Sequence, residues 1–307
     1  MLPATWRWSC RAGGGDGVLI AIGSVKGSPY VTSLAVALAA RWPRPGALVV
    51  EADPAGGDLA FRFGARREPG LSELAADTRA GFGGRDLGAY AQRIPLGIDV
   101  LFAPADQQRG DEQLRLPDRR TGPPDPREPG EVIRVLGLAA RNCVDLLRST
   151  AVYRPVIIDL GRLGWDSPAL PLAAAADVLL LACWSGVEAI DAVQVRRDRI
   201  LALPGMRASI RLVLVGQPPC PEQEIADAVG LPVVGVVPED ARAAAVLAGR
   251  AQAGWGWTRL PLPRAARSIA LALNAEFPDR AEPVARHAVP PVIYGVRGPE
   301  RVRVQRP

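Results

Sequence analysis

The sequence predicts an α/β protein built on a doubly wound, mostly parallel sheet with helices on both faces. Three observations carry this. Short apolar runs rich in Val, Ile and Leu alternate with stretches of helical spacing along nearly the whole chain. The first run, GVLIAIGSVKGSPYVTSLAVALAARW, passes through a glycine-containing turn straight into a helix. Carboxylates stand at the ends of two later runs, Glu51 and Asp53 after the second and Asp159 after a central one, where an open parallel sheet places its ligand chemistry.

In order, residues 1–16 read as a flexible leader ending in a glycine run, ahead of a main domain over 17–275. Residues 18–22 form a buried strand, 23–29 a tight turn, and the next stretch a helix carrying Leu34 and Leu38 on one face. Such a strand, turn and helix aims backbone N–H groups and the positive helix end at one point, which suits a phosphate. The apolar run 47–50 leads into Glu51, Asp53, Pro54, Gly56, Gly57 and Asp58. A helix over 70–78 and a strand over 98–102 follow. Residues 104–130, polar and rich in Pro and Arg, read as a flexible insertion, because the α/β alternation resumes after them. The pattern then gives a helix over 131–149, strands over 155–159, 178–183, 211–215 and 233–237, and helices over 168–176, 186–203, 222–229, 240–249 and 265–274. Residues 276–307 have no helical periodicity and read as an irregular Pro/Arg-rich tail.

At 307 residues the chain can bury a large core. Its four cysteines (Cys10, Cys143, Cys183, Cys220) have no CxxC spacing and read as small core residues of a reducing cytosol. The single histidine, His287, lies in the tail, which leaves no His-based triad or metal site to propose. The N-terminus lacks an apolar signal region, and the apolar stretch 169–184 is interrupted by Pro171 and Asp177, so a cytoplasmic protein without a transmembrane segment is expected. A net charge of +5 favours at most weak, non-specific contact with DNA or an anionic membrane.

Lys26 is the only lysine among the 37 basic residues. In a chain that otherwise uses arginine throughout, a retained lysine marks a place that needs a compact, flexible ammonium.

Taken together, these landmarks resemble the ParA/MinD family of P-loop ATPases, from about Gly17 to about Asn274. The family's phosphate loop, KGGxGKT[ST], falls on Lys26, Gly27, Ser28, Pro29, Tyr30, Val31, Thr32 and Ser33. The resemblance makes Lys26 the signature lysine that reaches a partner's nucleotide across a dimer interface, and Thr32 the hydroxyl that coordinates Mg²⁺. Glu51, Asp53 and Pro54 fall on the DxDP switch, with Asp53 positioning metal and water, and Asp159 falls on the Walker B aspartate. Gly161 follows it with a backbone N–H for a γ-phosphate. Gln217, Pro218, Pro238 and Glu239 fall on the two late loops that hold adenine. The implied cofactors are therefore ATP and Mg²⁺, the latter on Thr32, Asp53 and Asp159, with Asp53 and Lys26 as the catalytic pair.

The departures are as informative. Pro29 removes a loop N–H, Tyr30 puts a side chain where glycine serves best at φ > 0, and Val31 removes the lysine charge at the β/γ-phosphates. Losing one preorganised charge stabiliser costs about 3–4 kcal/mol, or roughly 10²–10³-fold in rate. Glu51 stands where an aspartate is usual, as a longer carboxylate able to reach a metal through water.

What the resemblance implies is a nucleotide-binding, or formerly nucleotide-binding, localisation and positioning protein with impaired or absent ATP hydrolysis. Degenerate loops of this kind mark the CpaE/TadZ-like branch, which serves Tad-type pilus or secretion machinery. The implied partners are a second copy of the chain and proteins of a positioning or secretion machinery, met at a membrane or nucleoid site. Two competing readings are an active partitioning or septum-site ATPase and a nucleotide-free scaffold. Arg196, Arg197 and Arg199, with Asp198 among them, read more simply as a solvated helix face than as a DNA contact, and Trp255 and Trp257 as packing residues.

Overall fold

The computed structural model describes residues 17–27, 29–80, 87–104 and 130–277. The expected leader, nearly all of the insertion and the tail, together with Ser28, lie outside these residues.

Within the described residues, eight strands form one sheet in the order β3-β4-β2-β5-β1-β6-β7-β8. They are β1 (Leu19–Ser24), β2 (Leu48–Glu51), β3 (Gln92–Arg93), β4 (Asp99–Leu101), β5 (Val156–Arg162), β6 (Val178–Trp184), β7 (Ser209–Val215) and β8 (Val233–Val237). All neighbours pair in parallel except β3, which runs antiparallel at the edge beside β4. The strands between the edge strands β3 and β8 are short and almost wholly buried because successive side chains feed two cores. In β1, Leu19 and Ala21 enter one core, and Ile20 and Ile22 the other.

On one face lie α3 (Leu71–Arg79), α4 (Glu131–Asn142), α5 (Val144–Thr150), α6 (Leu170–Ala175), α7 (Val187–Leu201) and α8 (Glu222–Val229). On the other lie α1 (Val31–Arg41), α2 (Leu59–Arg62), α9 (Ala241–Leu247) and α10 (Pro261–Glu276). The expected doubly wound architecture is thus present. Among these helices none is long and apolar enough to cross a membrane.

Several boundaries differ from the sequence reading. The helix expected over 131–149 breaks at Cys143, which ends α4 by donating its N–H to the Ala139 carbonyl and opens α5 by accepting from Leu147 N–H. Cys143 is fully buried, its sulfur 3.6 Å from the Thr78 hydroxyl, so the break sits where the chain packs against α3. The last helix starts at Pro261 rather than 265, because prolines in a first turn forgo only N–H groups that have no intrahelical partner. The edge strand β3 and the one-turn helix α2 are too short to leave a periodic pattern, and neither was expected.

Candidate functional site

The carboxyl ends of β1, β2 and β5 meet the N-terminus of α1. At the end of β1, Ser24 organises the turn: its hydroxyl donates to the Lys26 carbonyl at 2.9 Å and accepts from Lys26 N–H at 3.3 Å. Gly27 follows at φ 76° and Tyr30 at φ 55°, ψ 15°, directly before α1. Tyr30 is the only non-glycine among the described residues with positive φ. The loop therefore keeps a glycine-like backbone at a position where tyrosine pays roughly 1–2 kcal/mol for the left-handed region. Val31 is buried at the first turn of α1, so this position offers an apolar side chain and no charge.

Thr32, Asp53, Asp159 and Gly161 lie together at these strand ends. The β2–β5 register sets Glu51 beside Asp159, and Ala52 N–H donates to the Asp159 carbonyl at 2.8 Å. The Asp159 carboxylate accepts from the Thr32 hydroxyl and, at 3.0 Å, from Gly161 N–H. Burial raises its pKa to about 6; these two hydrogen bonds oppose the rise, and the nearby charges of Asp53 and Asp58 add to it. Asp53 accepts from Ala55 N–H at 2.8 Å. Its carboxylate lies directly against Gly161, where a β-carbon would sit 2.0 Å from Oδ2 and where φ is 55°. Only glycine fits there.

Glu51 is held by the backbone. It is 2% exposed, and both carboxylate oxygens are taken by backbone: Oε1 accepts from Leu59 N–H at 2.8 Å and Oε2 from Ala103 N–H at 3.1 Å. It ties the start of α2 and the chain after β4 to β2. Burial is the main cause of its pKa rising to about 7, with the Leu59 and Ala103 bonds opposing and the charges of Asp159 and Asp58 adding.

Lys26 is exposed, and its ammonium donates to the Glu188 carbonyl in the first turn of α7 at 3.5 Å. Ser33 and Tyr30 open onto a cleft of about 690 Å³ between α1, α2 and the end of α9. The two late loops meet next to β6: Gly216 N–H donates to the Val237 carbonyl at 2.9 Å, and the Ser185 hydroxyl donates to the Gln217 carbonyl at 2.9 Å. A β-carbon on Gly216 would lie 3.5 Å from the Glu239 carboxylate. Gln217 and Glu239 are exposed, and Pro218 and Pro238 half-buried, so this rim is open to solvent.

Sequence reasoning missed Trp184. At the end of β6 and 37% exposed, it meets Tyr30 edge to face and lies under 4 Å from where a β-carbon of Gly27 would be. Its signal was an apolar run that ends in an aromatic just before Ser-Gly, beside strand ends already assigned to the site.

The donor set tests what the site can hold. A hydroxyl and two carboxylates are hard oxygen ligands suited to Mg²⁺. Among the described residues no three His, Cys, Asp or Glu side chains form a metal site by themselves, so the ion would need oxygens from a ligand, as a phosphate provides. Thr32, Asp53 and Asp159 thus offer oxygens of the kind that Mg²⁺ takes, while position 31 offers no charge for a phosphate.

The strand order and the strand–turn–helix at its centre define a P-loop NTPase fold of the ParA/MinD type. The chain is similar in structure to a ParA family ATPase from Chlorobium tepidum TLS, with a TM-score of 0.60 and 16% identity over 83% of this chain and 98% of that one. It is also similar to the septum site-determining protein MinD of Pyrococcus horikoshii OT3, solved with Mg-ADP, with a TM-score of 0.57 and 16% identity over 83% of this chain and 94% of that one. Cyanothece McdA, solved as an ATP complex, gives a TM-score of 0.56 and 17% identity over 84% of this chain and 98% of that one. At such identities the likeness is one of fold. No family model matches the chain, and no curated protein matches its sequence.

Proposed function

We propose that the chain is a ParA/MinD-type positioning protein that binds ATP with Mg²⁺ and hydrolyses it poorly or not at all. The observation that carries this reading is the hydrogen bond from Thr32 to the buried Asp159 carboxylate, with Asp53 seated on Gly161 beside it. These groups would hold Mg²⁺, which would supply positive charge against that of the phosphates. Gly27 and the first turn of α1 would face the phosphates, and Gln217, Pro218, Pro238 and Glu239 would border the base. The MinD of Pyrococcus horikoshii carries Mg-ADP, which supports the same ligand class here.

The missing charge at Val31 and the missing N–H at Pro29 argue for a switch set by binding rather than by turnover. The exposure of Lys26, whose ammonium makes a long hydrogen bond to the Glu188 carbonyl, supports its reading as the lysine that reaches a second copy of the chain. The damaged loop and the segment ADPAGGDLA support the CpaE/TadZ-like branch, and with it service to a Tad-type pilus or secretion machinery from a cytoplasmic pool recruited to a membrane or nucleoid site.

Calorimetric titration with ATP and Mg²⁺, paired with phosphate-release assays, tests this. Saturable, Mg²⁺-dependent binding that Asp53→Asn abolishes, with little or no release, supports the reading. Absence of binding by the wild-type protein refutes it and favours the nucleotide-free scaffold, and rapid release favours an active ATPase.

A further inference from the structure

A phosphate loop without its lysine leaves an open electrostatic question. Thr32 and Ser33 stand at the helix N-terminus, while Glu51, Asp53, Asp58 and Asp159 put four carboxylates on or near the adjacent strand ends. A polyphosphate entering such a place needs positive charge from somewhere other than position 31.

The cleft that opens from Tyr30 and Ser33 supplies it. Two arginines line it: Arg62 at the end of α2 and Arg250 just past α9. They are brought to one cleft by a backbone contact that only glycine allows. Gly249, at φ 69°, sits on the chain at Arg62, where a β-carbon would lie 1.8 Å from the Arg62 carbonyl oxygen. Ala244, Ala248, Phe61 and Asp58 complete its lining. At about 690 Å³ the cleft falls within the range of small-molecule sites, roughly 300–1,000 Å³.

Arg62 is paired with Asp58 at 2.7 Å, but the Asp58 side chain is 52% exposed and the pair is an i,i+4 surface pair. Such a pair holds its guanidinium only weakly, and arginine has five N–H donors, enough to serve a phosphate as well. Arg250, also in the cleft lining, is exposed.

We infer that Arg62 and Arg250 form a substitute phosphate clamp, supplying from α2 and the end of α9 the charge that Val31 withholds from the phosphates of a bound nucleoside di- or triphosphate. The inference rests on the nucleotide-binding reading above. The clamp would meet the phosphates from the α1–α2–α9 side, across from the groups that would hold Mg²⁺.

The experiment is calorimetric titration of ATP·Mg²⁺, ADP·Mg²⁺ and AMP into the wild-type protein, Arg62→Gln, Arg250→Gln, the double variant and Asp53→Asn. Both arginines lie at the surface, so the variants should fold, and their thermal midpoints check this. The clamp predicts that each arginine variant weakens ATP·Mg²⁺ by about tenfold, that the double variant weakens it further, and that AMP changes less than ATP. ATP·Mg²⁺ binding equal to wild type in the double variant, with Asp53→Asn still abolishing it, overturns the clamp and leaves the nucleotide site intact. Equal weakening of AMP and ATP overturns it too, since the arginines would then shape the cleft rather than read phosphate. No binding by the wild-type protein overturns both readings together.

Discussion

The ring of Tyr30 meets the indole of Trp184 edge-on, with centroids 6.0 Å apart and planes at 85°. This pair joins the turn before α1 to the end of β6, where Trp184 also lies against Gly27. The turn before α1 is thus held by aromatic packing around a tyrosine in the left-handed region. Two opposed terms meet at that residue, a backbone strain of roughly 1–2 kcal/mol and an aromatic contact of about 0.5–1.5 kcal/mol.

It follows that Tyr30→Gly and Tyr30→Ala should behave differently. Glycine relieves the strain while losing the ring, so stability should stay within about 1 kcal/mol of wild type. Alanine loses the ring and keeps the strain, and should be the less stable of the two by about 1 kcal/mol. Urea midpoints of the two variants decide this, and equal midpoints would mean that the left-handed backbone at position 30 carries no strain.

Gly161→Ala should be among the more damaging single-methyl changes in the chain. The new β-carbon would fall 2.0 Å from the Asp53 carboxylate at a φ of 55°, so Asp53 or the strand end must move. A loss of about 2 kcal/mol is expected from the steric and backbone terms together, and any Mg²⁺-dependent nucleotide binding should go with it. Denaturant unfolding and calorimetry on the same sample measure both effects. Retained Mg²⁺-nucleotide binding would separate Asp53 from the site.

Stability should fall as pH rises through neutrality. Glu51 holds its proton more tightly in the folded protein, at about 7, than its ordinary value of 4.5, because it is buried. Its contribution is therefore fully present below about pH 4.5 and lost as pH passes through about 7, by an amount of the order of 3 kcal/mol. Asp159, raised from 3.8 to about 6, acts in the same sense over a lower window. Glu51→Gln removes the titration but gives up one acceptor for a backbone N–H, costing about 1 kcal/mol. Urea midpoints at pH 5 and pH 8 should show wild type the more stable at pH 5 and the variant equal or better at pH 8. An unchanged slope in the variant would place the titration elsewhere.

Much of this was legible in the chain because it is written in patterns longer than a few residues. The β1 run, with its turn and helix, and the carboxylates Asp53 and Asp159 after apolar runs announce strand ends, and parallel pairing of β2 with β5 brings them together. What the sequence concealed depends on rotamers and on contacts between distant segments. Glu51 looks like a site acid until Leu59 and Ala103 are seen to occupy both its oxygens. Trp184 looks like the end of a strand until Gly27 and Tyr30 are folded against it. Arg62 and Arg250 lie far apart in the chain and meet through one glycine contact that no local pattern reveals.

The most direct test of the central claim, that the Thr32, Asp53 and Asp159 cluster still holds Mg²⁺ and nucleotide, is the thermal midpoint with and without millimolar ATP and Mg²⁺. A ligand at about a hundred times its Kd adds close to 2.7 kcal/mol, which for a chain of this size is a rise of roughly 5–10 °C. The account predicts that rise for the wild-type protein, its loss in Asp53→Asn and its reduction in Lys26→Ala. No shift at any nucleotide concentration, or an equal shift in Asp53→Asn, would contradict it.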